Sequence, residues 1–292
     1  MAEQALLEGP FLERLERLSL ATRKRVSGQG KGDRRSIHKG TSIEFVDYRH
    51  YTPGDDPRSV DWNIYRRSGN LYVKQFEEEE IVTAHILVDV SKSMDWGSPS
   101  KLHFASRLAA ALGYIVLAGS SKLMTSTLSG STATTFGPAW GRRSSGQLIE
   151  FLQRDRPHGE TDLDAALESY ARRATPGQAL IISDLLTPKF EQGVRRLLDR
   201  RFEVTLLHVL APEEIRPPMS GDLTLVDRET GSEVAITLNQ EALDRYEERF
   251  RTWARALESF CARHDVVYQR IQTSERLEFV LFDQLRRRGV LR

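Results

Sequence analysis

From residue 84 onward the chain alternates two kinds of segment. Apolar runs at 84–90, 122–128, 179–183, 203–210 and 265–271 are separated by stretches of helical periodicity at about 101–119, 145–154, 163–173, 188–200 and 240–262. A strand that is apolar on both faces has to be covered on both faces, and helices between successive strands do this while returning the chain for parallel pairing. The alternation predicts an α/β fold, a doubly wound, mostly parallel sheet with helices on both faces. Residues 212–238 interrupt it. There "DLTLVDRETGSEVAITL" reads as a hairpin insertion with its turn at Glu229 to Ser232, preceded by the stiff Pro217 and Pro218. In the next helix Leu243, Tyr246, Phe250, Trp253, Leu257 and Phe260 recur at spacings of three and four, a stripe for burial rather than a coiled-coil seam.

The preceding part has a different rhythm. Leu7, Phe11, Leu15 and Leu18 share one face of an amphipathic helix expected from about Glu3 to Arg25. The Gly-rich "SGQGKGDRR" at 27–35 follows; no strand runs into it and it has no phosphate-loop spacing, so it reads as a linker. Between Ser42 and Phe76, β-like pieces are punctuated by Pro53, Gly54, Pro57 and the "SGN" at 68–70. The expected organisation is a helix and linker over 1–35, a small mainly β subdomain over 36–80, and the alternating α/β domain over 81–292.

Charge and composition narrow the partners. Lys and Arg number 42 against 41 Asp and Glu, a net charge of +1, so nothing global draws the chain to nucleic acid or anionic lipid. Arg23, Lys24, Arg25, Lys31, Arg34 and Arg35 form a basic stretch without the aromatic residues that stack on bases, which argues against nucleic-acid binding. The single cysteine, Cys261, excludes an intrachain disulfide and a cysteine-based zinc cluster. No transmembrane segment and no signal peptide are legible, and a cytoplasmic location is the expectation. The sequence leaves the oligomeric state open.

The first apolar run ends in "HILVDVSKSMDWG", residues 85–97. Ligands of open parallel sheets bind beyond the carboxyl ends of strands, and Asp89 stands at such an end. Residues spaced by two in extended backbone project to one side, so Asp89, Ser91 and Ser93 can converge. A carboxylate and two hydroxyls are hard oxygen donors, suited to Mg²⁺ or Mn²⁺ and poorly suited to zinc. Three ligands do not fill six positions, and Thr161 in "HGETDLDAAL" and Asp184 in "ALIISDLL" are the candidates for the remainder. Each alone has an ordinary explanation: Thr161 as a helix N-cap with Asp164 in capping-box position, Asp184 as a turn residue. The seven histidines show no metal-ligand spacing, and Met94 and Trp96 either rim the loop or pack beneath it.

The set Asp89, Ser91, Ser93, Thr161 and Asp184 resembles the metal-ion-dependent adhesion site of von Willebrand factor A domains, in chain order and on comparable strand ends. That resemblance implies Mg²⁺ held by the hydroxyls directly or through water, by the acids largely through water, and completed by a partner's carboxylate. Upstream, the Gly-Asp-x-x-Arg-x-x-Asp-Trp pattern carried by Gly54, Asp55, Arg58, Asp61 and Trp62 is similar to the bacterial domain of unknown function 58 family. Some members of that family carry two N-terminal transmembrane helices, which are not carried over to this chain. The family resemblance implies a non-enzymatic adaptor for a MoxR-type AAA+ ATPase in chaperone-like assembly or activation of a client complex.

Two structural expectations accompany the pattern: a buried Arg58–Asp61 ion pair beneath Trp62, and pairing of Arg66 and Arg67 with the Glu77 to Glu80 run. The competing function is a metal-dependent phosphoester hydrolase. Against it, Ser91 stands where haloacid-dehalogenase-like enzymes have a second acid for proton transfer, and neither a Walker lysine motif nor His-Glu-x-x-His is present.

Overall fold

The computed structural model describes residues 6–7, 9–21, 43–78, 83–119, 121–154, 157, 159, 161–187, 189–218, 221–226 and 232–292. These divide into two units, a smaller one within Val26–Ile81 and a larger one within Met1–Arg25 and Val82–Arg292. The expected linker at 27–35 lies outside the described residues, as does most of the expected turn at Glu229 to Ser232.

The first helix is shorter than its apolar spacing predicts. Helix α1 spans Gly9–Leu15, not Glu3 to Arg25. Pro10 has no N–H to continue a ladder and its ring collides with a preceding turn, so it belongs at a helix start. Beyond Leu15 the chain straightens, and Leu20 forms an antiparallel bridge with Leu291. Leu15 and Leu18 are buried in the core of the larger unit, and Tyr114 donates to Glu16 at 2.9 Å.

In the smaller unit β1 (Ile43–His50) pairs antiparallel with β2 (Tyr72–Glu78), and α2 (Trp62–Ser68) lies between them in sequence. The helix was not expected in a mainly β region. Asp61 explains it: its side chain accepts from the backbone N–H groups of Asn63 and Ile64 at 2.8 and 3.2 Å, an N-cap. Tyr48 also donates to Asp61, at 3.1 Å. Trp62 is exposed, set edge-to-face on Tyr65, so it covers no buried ion pair of Arg58 and Asp61. Asp55 instead takes both guanidinium nitrogens of Arg49, each at 2.6 Å, which holds its carboxyl down at about 2. The side chains of Glu77 to Glu80, expected to meet Arg66 and Arg67, lie outside the described residues.

The larger unit continues with β3 (Thr83–Asp89), α3 (Lys101–Ala118), β4 (Lys122–Ser129), β5 (Thr132–Ala139), α4 (Ser145–Arg154), α5 (Leu163–Arg173), β6 (Gln178–Ser183), α6 (Phe190–Asp199), β7 (Glu203–Leu210), α7 (Pro212–Ile215), β8 (Gly221–Val226), β9 (Glu233–Leu238), α8 (Gln240–Arg263) and β10 (Val267–Gln272). Six strands form one sheet in the order β10-β7-β6-β3-β4-β5, parallel except for β5. This is the mixed, mostly parallel sheet of a doubly wound fold, consistent with the von Willebrand factor A type. Strand order reverses between β3 and β6, and that is the topological switch point. The β8–β9 hairpin stands apart as its own two-stranded sheet.

Alternate side chains of β3 serve opposite layers. Ile86 and Val88 join Leu108 and Leu112 of α3 on one face, whereas Leu87 joins Leu163 and Leu167 of α5 on the other. Burying each such side chain contributes about 1.5–3 kcal/mol, which is why the continuous apolar run fixes a central strand. Among the described residues α3 alone is long and apolar enough to cross a membrane, and 83% of it is buried inside the fold. His85 and His208 are buried in the sheet, each against a tyrosine hydroxyl at 2.8 and 2.7 Å, and burial lowers both to about 4. They are neutral packing residues.

Candidate metal centre

Asp89 closes β3 at the switch point, wholly buried. One of its oxygens accepts from the Ser91 backbone N–H at 3.0 Å, the other from the Ser183 hydroxyl at 2.7 Å. The first bond curls the chain back so that Ser91 Oγ meets Ser93 Oγ at 2.9 Å. The second ties the end of β3 to the end of β6, where Asp184 follows. Thr161 approaches from the other neighbour: it bridges Gly130, and its hydroxyl reaches the Leu128 carbonyl at 3.5 Å, the same carbonyl that accepts the Val90 N–H at 3.1 Å. Lys92 N–H to Gly159 O, at 3.0 Å, binds the two loops together. Asp89, Ser91, Ser93, Thr161 and Asp184 thus stand at one end of the sheet, all buried except the half-buried Ser93.

The ordinary explanation for Thr161 is overturned. The N-cap of α5 is Asp162, whose side chain accepts from Ala165 N–H at 3.0 Å. The Thr161 hydroxyl is therefore not consumed in capping. Asp162→Ala is expected to cost about 1 kcal/mol of stability, the usual effect of a lost cap, while leaving affinity for divalent cations unchanged. Urea unfolding and a Mn²⁺ titration of the same variant read the two effects separately.

Asp184 is a turn residue and more. Its Oδ1 accepts from Leu186 N–H at 3.2 Å and Ser183 Oγ accepts from Leu185 N–H at 3.0 Å, which together hold Leu185 in the left-handed region at φ 55°. Its Oδ2 accepts from Lys101 Nζ at 2.7 Å. Lys101 is fully buried at the first position of α3 and also donates to Glu214 of α7. Gly97, between the serine loop and α3, sits at φ 97°, and a Cβ there would lie 2.9 Å from the Ala211 Cβ. That close approach seats the serine loop against the residue preceding α7.

The electrostatics favour a cation. Burial, and then the negative charge of Asp184, push the Asp89 carboxyl above its ordinary value, opposed by its bonds from Ser183 and Ser91. Among the described residues no Lys, Arg or His forms an ion pair with Asp89. Lys101 answers Asp184 and Glu214 but not Asp89. Carboxylate oxygens bonded once retain a lone pair, and the serine and threonine oxygens add neutral donors. Among the described residues no group of three or more His, Cys, Asp and Glu stands together as a metal cluster. A site of one unpaired acid, one shared acid and three hydroxyls fits a hard divalent cation such as Mg²⁺ or Mn²⁺ and does not fit zinc.

Residues 47–256 match the family described as protein of unknown function DUF58. The chain belongs to that family. An uncharacterized protein of Mycobacterium bovis is 29% identical to this DUF58 chain over 223 residues, 74% of this chain and 70% of the relative. An uncharacterized protein of Mycobacterium tuberculosis matches to the same extent, 29% over 223 residues. Of solved structures, the conserved hypothetical protein BatB from Bacteroides thetaiotaomicron is similar over 71% of this chain and 98% of its own, at 19% identity and a TM-score of 0.45. An aerotolerance-related membrane protein from Bacteroides fragilis is similar over 70% and 99%, at 18% identity and a TM-score of 0.44.

Three residues around the candidate site escape sequence reasoning: Ser183, Lys101 and Glu214. Ser183 is hidden because a serine at the end of an apolar strand has many uses. Lys101 left a faint signal. A cation in the first turn of a helix opposes the helix dipole, so a lysine directly after the N-cap Ser100 asks for nearby carboxylates.

Proposed function

We propose that this DUF58 protein is a non-enzymatic, metal-dependent interaction module that takes an acidic side chain of a protein partner onto a Mg²⁺ or Mn²⁺ ion. The observation that carries the reading is Asp89: a buried carboxylate at the switch point with no cationic side-chain partner among the described residues, with Ser91, Ser93 and Thr161 at the same end of the sheet. Such a donor set gives the ion few formal negative charges, so it stays electrophilic toward an incoming carboxylate. The half-buried Ser93 marks the open side. Trp96 and Leu186, exposed on the loops that carry the site, offer apolar surface around it, and that supports a protein rather than a small hydrophilic ligand.

The partner class rests on the family resemblance alone: a MoxR-type AAA+ ATPase, with the DUF58 protein as adaptor toward a client complex. The test is a pull-down of the cognate ATPase with Mg²⁺ and with EDTA, in each nucleotide state, using wild type and Asp89→Ala/Ser91→Ala. Retention that requires both the metal and the intact site is expected. Absence of binding in every nucleotide state removes the ATPase partnership, and binding indifferent to EDTA removes the ion bridge.

A further inference from the structure

Lys101 is the feature that the reading above does not absorb. Among the described residues it is the largest fully buried side chain, it is charged, and its ammonium bonds a candidate metal ligand. On the other side it meets Glu214, whose second oxygen accepts from Ala211 N–H at 2.8 Å and whose carbonyl accepts from the Tyr246 hydroxyl of α8. Glu214 is fixed at both ends, and its side chain is 18% exposed. The cluster runs Asp184, Lys101, Glu214, from the end of β6 through the start of α3 to α7.

We propose that Lys101 is a specificity-setting residue of the metal centre: a resident cation that shares Asp184 with the ion and so keeps the ion short of negative charge. This rests on the metal-site reading. With one oxygen of Asp184 bonded to Lys101, the ion has the full charge of Asp89 and only part of that of Asp184. Its own site then leaves it positive enough to require a carboxylate from outside. Glu214 moderates the effect by taking part of the Lys101 charge away from Asp184. Because like charges repel through a water-poor interior far more than through solvent, the ammonium also lowers the intrinsic affinity for the ion.

The two residues therefore act with opposite signs. Lys101→Met, of similar length and without charge, is expected to bind Mn²⁺ about tenfold more tightly than wild type. Glu214→Gln, which leaves the ammonium wholly on Asp184 and removes a nearby negative charge, is expected to bind about tenfold more weakly. A purely structural role for the cluster would weaken binding in both or change it in neither. The experiment is a Mn²⁺ titration followed by electron paramagnetic resonance of free ion, on full-length protein purified metal-free. Should Lys101→Met not fold without metal, equal or tighter binding in Glu214→Gln still overturns the proposal.

Tighter binding in Lys101→Met together with weaker binding in Glu214→Gln supports the proposal. Equal or weaker binding in Lys101→Met overturns it while leaving the metal site standing if wild type binds. Where wild type binds, equal or tighter binding in Glu214→Gln does the same. Absence of Mn²⁺ binding in wild type and both variants overturns the inference and the metal-site reading together. Binding gained only in Lys101→Met supports the inference and shows that wild type needs its partner's carboxylate to close the site.

Discussion

Metal-free Lys101→Met is expected to lose about 3–5 kcal/mol of stability to urea at neutral pH, the usual cost of stripping one partner from a buried ion pair. The reason is local. Lys101 Nζ lies 2.7 Å from Asp184 Oδ2 and bonds Glu214 as well, with its own side chain fully buried. Replacement by methionine fills the space of the stem but leaves two carboxylates facing each other. Asp184 is 1% exposed and has nowhere to find water. Saturating Mg²⁺ is expected to narrow the deficit, because the ion takes over part of the neutralisation. A loss below about 1 kcal/mol, typical of an exposed pair, would mean that the cluster is far wetter than its geometry shows.

The second large effect is the stabilisation expected of metal itself. An ion that binds only the folded chain adds RT ln(1 + [L]/Kd), about 2.7 kcal/mol at a hundredfold excess over Kd, and Asp89→Asn is expected to abolish it. The same substitution is expected to make the metal-free protein more stable than wild type at pH 7. Asp89 holds its proton more tightly folded than unfolded, first because of burial and then because of Asp184. A raised carboxyl pKa penalises folding wherever the group is ionised: the penalty is absent below the unfolded value, grows above it, and is complete above the folded value. Acidifying metal-free wild type from the folded value down to the unfolded value recovers this part of its stability, and asparagine removes the penalty at every pH. Thermal melts of both proteins with Mg²⁺ and with EDTA give all four quantities. Destabilisation of the metal-free protein by Asp89→Asn, with Mg²⁺ still stabilising the variant, would contradict both halves.

What was legible in the sequence follows from what each residue depends on. The central strands were legible because their apolar runs are local, and Asp89, Ser91 and Ser93 because their spacing is a property of one segment. Strand β5, Thr132–Ala139, was not. It is an edge strand rich in threonine, mostly solvent-facing, and joined to β4 through a two-residue turn at Gly130 and Ser131, so no apolar run announces it. Pro138 is tolerated there because an edge strand has a free side. The apolar stripe alone overextends α1, because Pro10 sets the helix start and spacing does not register it. The choice between Thr161 and Asp162 as the cap of α5 turns on a single position, which spacing does not resolve. The Asp184–Lys101–Glu214 cluster joins three elements far apart in sequence, and only the fold brings them together.

The most direct test of the central claim, a hard-cation site at the strand ends, is calorimetric titration of Mg²⁺ and Mn²⁺ into metal-free wild type and into Asp89→Ala/Ser91→Ala. The account predicts one saturable site per chain in wild type and none in the variant, with both proteins folded by circular dichroism. Identical isotherms for the two proteins would contradict it, and the function would then have to be sought away from the switch point.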